Sequence, residues 1–303
     1  MALFPIGVLG IPFCVGWVGE GIAEAPDALR ASDLVQAVAS VGLEVKDLGD
    51  VQCTLPPREM KNPKLLNPAQ VIVLSRAIAP RVERSIRSGY FPLILGGEDG
   101  ILMGIIAGLQ DGLKKRIGLI YVDAHGDFNT PDTTPSGLIG GMNVAIVAGR
   151  GPEQLANIFG KRPQLPEEAI VLFGQRDLDP PEKAALGSSK VTVISTEDVK
   201  QMGAAAAMRK AIHILKPQVD KLYFHMDVDV LDPGEMSALI LPVSNGLTLK
   251  EIMEALEVVG SSGLLCGAAF MVFNARKDPT RTEAQKIVSL VRHLAQSLKN
   301  SGN

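Results

Sequence analysis

The chain has 303 residues, of which 46% are apolar and 21% charged, a balance that suits a large buried core and excludes disorder. Thirty basic against thirty-three acidic residues give a net charge of −3 with no basic block, which argues against nucleic acid as a main partner. Cys14, Cys53 and Cys266 are scattered and odd in number, without a C-x-x-C pair or the density of a secreted scaffold, so a reducing, cytoplasmic setting is expected. The first residues carry no basic leader, and no window offers about twenty apolar residues in a row, so no membrane partner is expected.

In chain order, strands are predicted at Ile6–Ile11, Leu43–Leu48, Phe91–Leu95, Ile117–Val122, Ala169–Phe173, Val191–Ile194, Leu222–Val228 and Leu264–Val272. Most are unbroken apolar runs, as in a parallel sheet covered on both faces. Helical periodicity falls between them at Pro26–Val41, Pro68–Ser88, Gly100–Leu109, Ala204–Leu215, Leu249–Val259 and Thr282–Leu298, with Asn67 and the Thr248/Glu251 pair as candidate caps. No repeat or linker interrupts this alternation. The expectation is one α/β domain over residues 1–303, a three-layer αβα unit around a mainly parallel, doubly wound sheet. The stretch Asn129–Asn143 fits neither period, and long connections of that kind are often functional.

Ligands in such folds collect at the carboxyl ends of the strands. Three of those ends are acidic here: Glu98-Asp99, Asp123-Ala-His125-Gly-Asp127, and Asp227-Val-Asp229 through Asp232-Pro233. Carboxylates crowded at the end of a buried sheet repel one another unless cations neutralise them, so a metal centre is expected. One D-x-D pair alone is more often a turn or cap; two dense clusters on strand ends reverse those odds. In an extended strand Asp227 and Asp229 would face opposite ways, so both can ligate only if the chain turns there.

On these segments the sequence resembles the ureohydrolase (arginase and agmatinase) superfamily, whose hallmarks are G-G-D-H, D-A-H-x-D-x-N and S-x-D-x-D-x-x-D-P. The resemblance runs over nearly the whole chain, from Gly7-Val-Leu-Gly-Ile-Pro12 onward. It implies a hydrolase of C–N bonds in linear amidines with two divalent ions, most often Mn²⁺. Asp123 and Asp227 would bridge them, with Asp127 on one ion and His125 and Asp229 on the other. Asp99 stands where the motif has its histidine and is kept as a ligand, with Glu98 as an alternative. Five aspartates and one histidine bring a formal −5 against the +4 of two divalent ions, which favours Mn²⁺ or Mg²⁺ over Zn²⁺ and weakens activation of bound water. A hydroxide bridging such ions can attack a guanidinium carbon and release urea and an amine, with His125 and Asp127 as catalytic residues and Asp127 carrying the proton.

The same resemblance assigns Asn129 and Ser136 to the carboxylate of an amino-acid substrate, and Asp179 and Glu182 to its ammonium. The Asp179-Pro180 pair taken alone reads better as a helix start, cap followed by first helical residue. Three departures stand against plain arginine hydrolysis: Gly140 at the loop histidine, Val272 at the glutamate that anchors the guanidinium, and Val243-Ser-Asn-Gly-Leu247 in place of P-G-G-L. Without a buried carboxylate partner a cationic head group binds more weakly, so a less basic relative such as N-hydroxyarginine suits the site better. The loop Ser136–Met142 is also similar to a subgroup associated with hydroxyarginine hydrolysis.

His225 reads as a core histidine or one supporting a ligand, His213 and His293 as helix residues, and Trp17 as packing in the Cys14–Gly21 loop. Dinucleotide, P-loop, serine-hydrolase and zincin motifs are all missing. The expected assembly is the superfamily's homo-oligomer, a trimer or hexamer. Two other readings remain open: an inactive metal-binding homologue, and a metal-dependent amide hydrolase of the deacetylase type.

Overall fold

The computed structural model describes residues 5–16 and 21–301; Trp17 lies outside them. Eight strands form one sheet: β1 (Ile6–Ile11), β2 (Val45–Asp50), β3 (Phe91–Gly96), β4 (Ile117–Val122), β5 (Ile170–Phe173), β6 (Thr192–Ile194), β7 (Lys221–Asp227) and β8 (Leu265–Met271). Their order is β2-β1-β3-β8-β7-β4-β5-β6, and all seven neighbouring pairs are parallel. Parallel pairing needs crossovers, and the helices supply them: α1 (Ala25–Arg30), α2 (Leu34–Ala39), α3 (Pro68–Arg87), α4 (Leu102–Leu113), α5 (Asn143–Val147), α6 (Glu153–Ala156), α7 (Pro180–Gly187), α8 (Thr196–Met202), α9 (Ala204–Leu215), α10 (Leu249–Gly260) and α11 (Thr282–Ser301).

Alternate strand residues feed two cores. Val8, Leu93, Ile120, Val122 and Phe224 pack with α1, α2 and α9 to α11, whereas Leu9, Ile94, Leu119, Tyr121 and Tyr223 pack with α3, α4 and α5. Central strands are therefore buried on both sides, which is why they read as continuous apolar runs. At the edge, β2 (Val-Lys-Asp-Leu-Gly-Asp) has only partly buried and exposed residues and begins two residues later than its apolar run suggests.

Several expectations need correction. The periodic segment at Pro26–Val41 is two helices, broken where Asp33 takes a left-handed φ of 60°. Asn67 also sits at a left-handed φ and does not cap α3; its Oδ1 accepts from Glu59 N and its Nδ2 donates to Val15 O, pinning two loops. The Thr248/Glu251 capping box on α10 is present. The helix expected at Gly100–Leu109 begins at Leu102 and runs on to Leu113. Helices α5, α6 and α8 were not predicted, and of α7 only the start at Asp179-Pro180 was; the four span four to eight residues, too short for a helical period to show.

Candidate metal centre

Strands β3, β8, β7 and β4 lie side by side, and the residues that leave their carboxyl ends meet in one cavity of about 430 Å³. Asp99, Asp123, His125, Asp127, Asp227, Asp229 and Val272 all line it. Pairing of Val122 with Met226 and of Asp227 with Met271 sets Asp123 beside Asp227 at the cavity floor. The strand does turn where two-sided ligation requires it. β7 ends at Asp227, a 3-10 turn follows at Val228–Val230, and Asp229 N donates back to Asp227 Oδ1 at 3.2 Å. Asp127 reaches the same side through a left-handed φ of 49°.

Two groups of ligand atoms, each within 4.8 Å, share Asp123: Asp99, Asp123 and Asp227 form one, and Asp123, His125 and Asp229 the other. The structure thus gathers five of the six expected metal residues, with Asp123 common to both groups. Asp227 belongs to only one group. Asp127 stands just outside, where its Oδ2 accepts a short 2.5 Å hydrogen bond from the Tyr121 hydroxyl. Glu98 points elsewhere: its Oε2 accepts from the amides of Val15 at 2.7 Å and Gly16 at 2.6 Å.

Electrostatics favour a cation. Burial, then the charge of Asp229, pushes the Asp123 carboxyl up to about 7. Asp227 is raised well above the usual carboxylate range by burial and by Asp229, Asp123 and Asp99, and Asp127 by burial and by Asp123 and Asp99. Burial opposes charge on His125, yet its hydrogen bonds to Asp123 and Asp229 outweigh that and hold the imidazole cationic. Its Nδ1 lies 3.1 Å from Asp123 Oδ1 and 3.3 Å from Asp229 Oδ2, so the proton there occupies the place of a positive ion. No lysine or arginine is found among the described residues lining the cavity. Five buried carboxylates with one imidazole and no lysine or arginine among them are a fit for divalent ions with oxygen ligands.

The predicted substrate residues line the same cavity. Asn129 Nδ2 donates to Asp179 Oδ2 at 3.0 Å, and its buried Oδ1 has no partner among the described residues. Glu182 is buried, accepts from Phe128 N at 2.7 Å and from Asp179 N at 3.3 Å, and lies on α7, which starts at Pro180 as the Asp-Pro pair suggested. Ser136 is exposed at the rim, its Oγ accepting from Leu138 N. Val272 has a left-handed φ of 61°, uncommon for a β-branched residue, and offers only hydrocarbon to the cavity.

His225 is fully buried beneath the floor, stacked on Tyr121 at 4.9 Å and hydrogen-bonded to Tyr223; burial pushes it down to about 3, so it is neutral. Sequence reasoning missed Tyr121. Its signal was position: two residues before Asp123, hence on the same face of β4.

The family model described as Arginase family matches residues 4–296. This chain belongs to the arginase family. It is 33% identical over 288 residues to an arginase from Brevibacillus brevis, covering 94% of this chain and 96% of that one. Among solved structures, the arginase from Bacillus caldovelox superposes with a TM-score of 0.90 at 31% identity, and that from Bacillus cereus with 0.88 at 32%; each comparison covers 96% of this chain and 98% of the other.

Proposed function

We propose that this arginase-family chain is a metal-dependent hydrolase that cleaves a C–N bond of a guanidino or amidino group in an arginine-like amino acid, N-hydroxyarginine or a related analogue. The supporting observation is the pair of donor groups that share Asp123, in one cavity with Asn129, Asp179 and Glu182. Asp99, Asp123 and Asp227 would hold one divalent ion, Mn²⁺ or a similar hard cation, with Asp127 beside it; Asp123, His125 and Asp229 would hold the other. Bound there, the ions supply Lewis acidity and a water acidic enough to act as nucleophile near neutral pH.

The chain's own residues do the remainder. Asp127 accepts the proton of the attacking water and returns it to the departing nitrogen, so that a neutral N-hydroxyguanidine yields hydroxyurea and an amine; a guanidinium yields urea, and its own extra proton leaves on the amine. Tyr121 fixes Asp127 for that exchange. Asp179 and Glu182 face the substrate's α-ammonium. Asn129 and Ser136 serve its carboxylate, although the Asn129 amide is already committed to Asp179, which leaves its free Oδ1 as a further acceptor for the ammonium. Val272 provides no anion for the distal group, which favours a less basic head than guanidinium.

The test is to purify the protein, count bound metal, and measure urea release from arginine, agmatine and guanidinobutyrate and hydroxyurea release from N-hydroxyarginine. Turnover greatest on N-hydroxyarginine supports the reading. Bound manganese without turnover on any of the four overturns it in favour of an inactive homologue or an amide hydrolase.

A further inference from the structure

Asp99 stands where the resembled motif has a histidine, and its carboxylate is gripped by groups of this chain. Oδ2 accepts from Asn143 Nδ2 at 3.1 Å and lies 3.3 Å from the Tyr121 hydroxyl. Oδ1 lies against Gly140, where an added Cβ would come within 2.8 Å of it. The absence of a side chain at 140 and the presence of a carboxylate at 99 are thus one arrangement.

A phenol has one proton to donate. Between its two acceptors, Tyr121 makes the shorter contact, 2.5 Å, to Asp127 Oδ2. Asn143 is therefore the donor that Asp99 has to itself. Asn143 is fully buried, and its Oδ1 has no partner among the described residues. An amide with one end unpaired in a core is costly, and its other end faces the carboxylate.

We propose that Tyr121 and Asn143 are positioning residues that hold Asp127 and Asp99 as oxygen donors beside one of the two ions, which lets an aspartate serve in the place of a histidine. Neither touches the reacting atoms. The proposal rests on the metal-dependent reading above. The Asp99 and Asp127 side chains also hydrogen-bond to each other, and each has a neutral donor besides: Asn143 for Asp99, and for Asp127 the Tyr121 hydroxyl, which is itself held by stacking on His225.

The test strips the wild type, Tyr121→Phe, Asn143→Ala, Asp99→Ala and the Asp99→Ala/Asn143→Ala double variant of metal and titrates each with Mn²⁺, following free Mn²⁺ by electron paramagnetic resonance. The wild type should take up two equivalents. Tyr121→Phe and Asn143→Ala should each weaken one equivalent by about 10–100-fold and leave the other unchanged. In the Asp99→Ala background, Asn143→Ala should add no further loss. Tyr121→Phe keeps the ring stack, so its metal-free melting temperature should stay near that of the wild type. Wild-type titration curves for both single variants would overturn the clamp and leave the metal-dependent reading standing. Equal loss of both equivalents with a lowered metal-free melting temperature in Tyr121→Phe would reduce it to a packing role and overturn it too. A wild type that takes up no Mn²⁺ would instead sink the metal-dependent reading itself.

Discussion

The guanidinium of Arg176 donates from Nη2 to the carbonyl oxygen of Asp229 at 2.7 Å, tying the loop after β5 to the turn that follows β7. The same group reaches the carbonyls of Val230, Leu231, Val243 and Ser244, so one planar cation holds together two segments at the cavity mouth. Arg176→Lys should not replace it, because an ammonium is a compact charge that cannot span five carbonyls. A loss of about 2–4 kcal/mol is expected in urea unfolding, together with weaker Mn²⁺ retention. Wild-type stability in this variant would show that the loops hold without the clamp.

Metal removal should destabilise the protein. Five buried aspartates face one another with a protonated imidazole as the cation among them, and an ion that binds only the folded state adds stability by mass action. At a hundredfold excess over the dissociation constant, that addition is about 2.7 kcal/mol per site. Melting curves with chelator and with increasing Mn²⁺ should therefore separate by several degrees. Identical curves would mean that the cluster holds no ion.

The sheet was legible in the sequence because each central strand is buried on both faces and bounded by loops, which leaves an apolar run of strand length. Ile6–Ile11 and Ile117–Val122 match the observed strands residue for residue. The edge strand was displaced because half of it is exposed, so its apolar residues do not mark its ends. The acidic donors were legible because charge at the end of an apolar strand is rare without a reason. Asn143 and Tyr121 were not. A neutral polar residue in a strand or short helix carries no signal until its partner is known, and Asn143 lies 44 positions from Asp99. Asn67 misled for the opposite reason: it has a capping residue's identity and position, but tertiary hydrogen bonds claim its amide.

Val272→Glu should shift substrate preference. The Val272 side chain lines the cavity with no charge of its own, and a carboxylate there gives a guanidinium a partner. KM for arginine should fall by about tenfold or more, while N-hydroxyarginine, less basic, should respond less; a desolvated charge pair worth about 1.4 kcal/mol suffices for that factor. A sixth carboxylate also adds repulsion to the metal-free cluster, so the chelated variant should melt below the chelated wild type. An unchanged ratio of the two substrates would show that the head group does not rest against residue 272.

Cys266 should report alkaline unfolding. It is buried in β8, its Sγ donates to Leu222 O at 3.1 Å, and burial pushes the thiol up to about 12 from an ordinary value of 9.0. Below pH 9 the thiol is protonated whether the chain is folded or not, so it contributes nothing to pH dependence. Above pH 9 the unfolded chain can release this proton and the folded one cannot, so stability falls as pH rises toward 12. At pH 10 the loss from this group alone is on the order of 1 kcal/mol. Burial also raises the Tyr121 and Tyr223 hydroxyls well above their usual range, which steepens the fall in the same direction. Urea unfolding of wild type and Cys266→Ala at pH 8 and pH 10 should show the smaller pH-dependent loss in the variant. In the native protein at pH 8, a thiol reagent should leave Cys266 unmodified while reaching the half-buried Cys53. Rapid native labelling of Cys266 would mean that β8 opens locally, and the pH argument would fail with it.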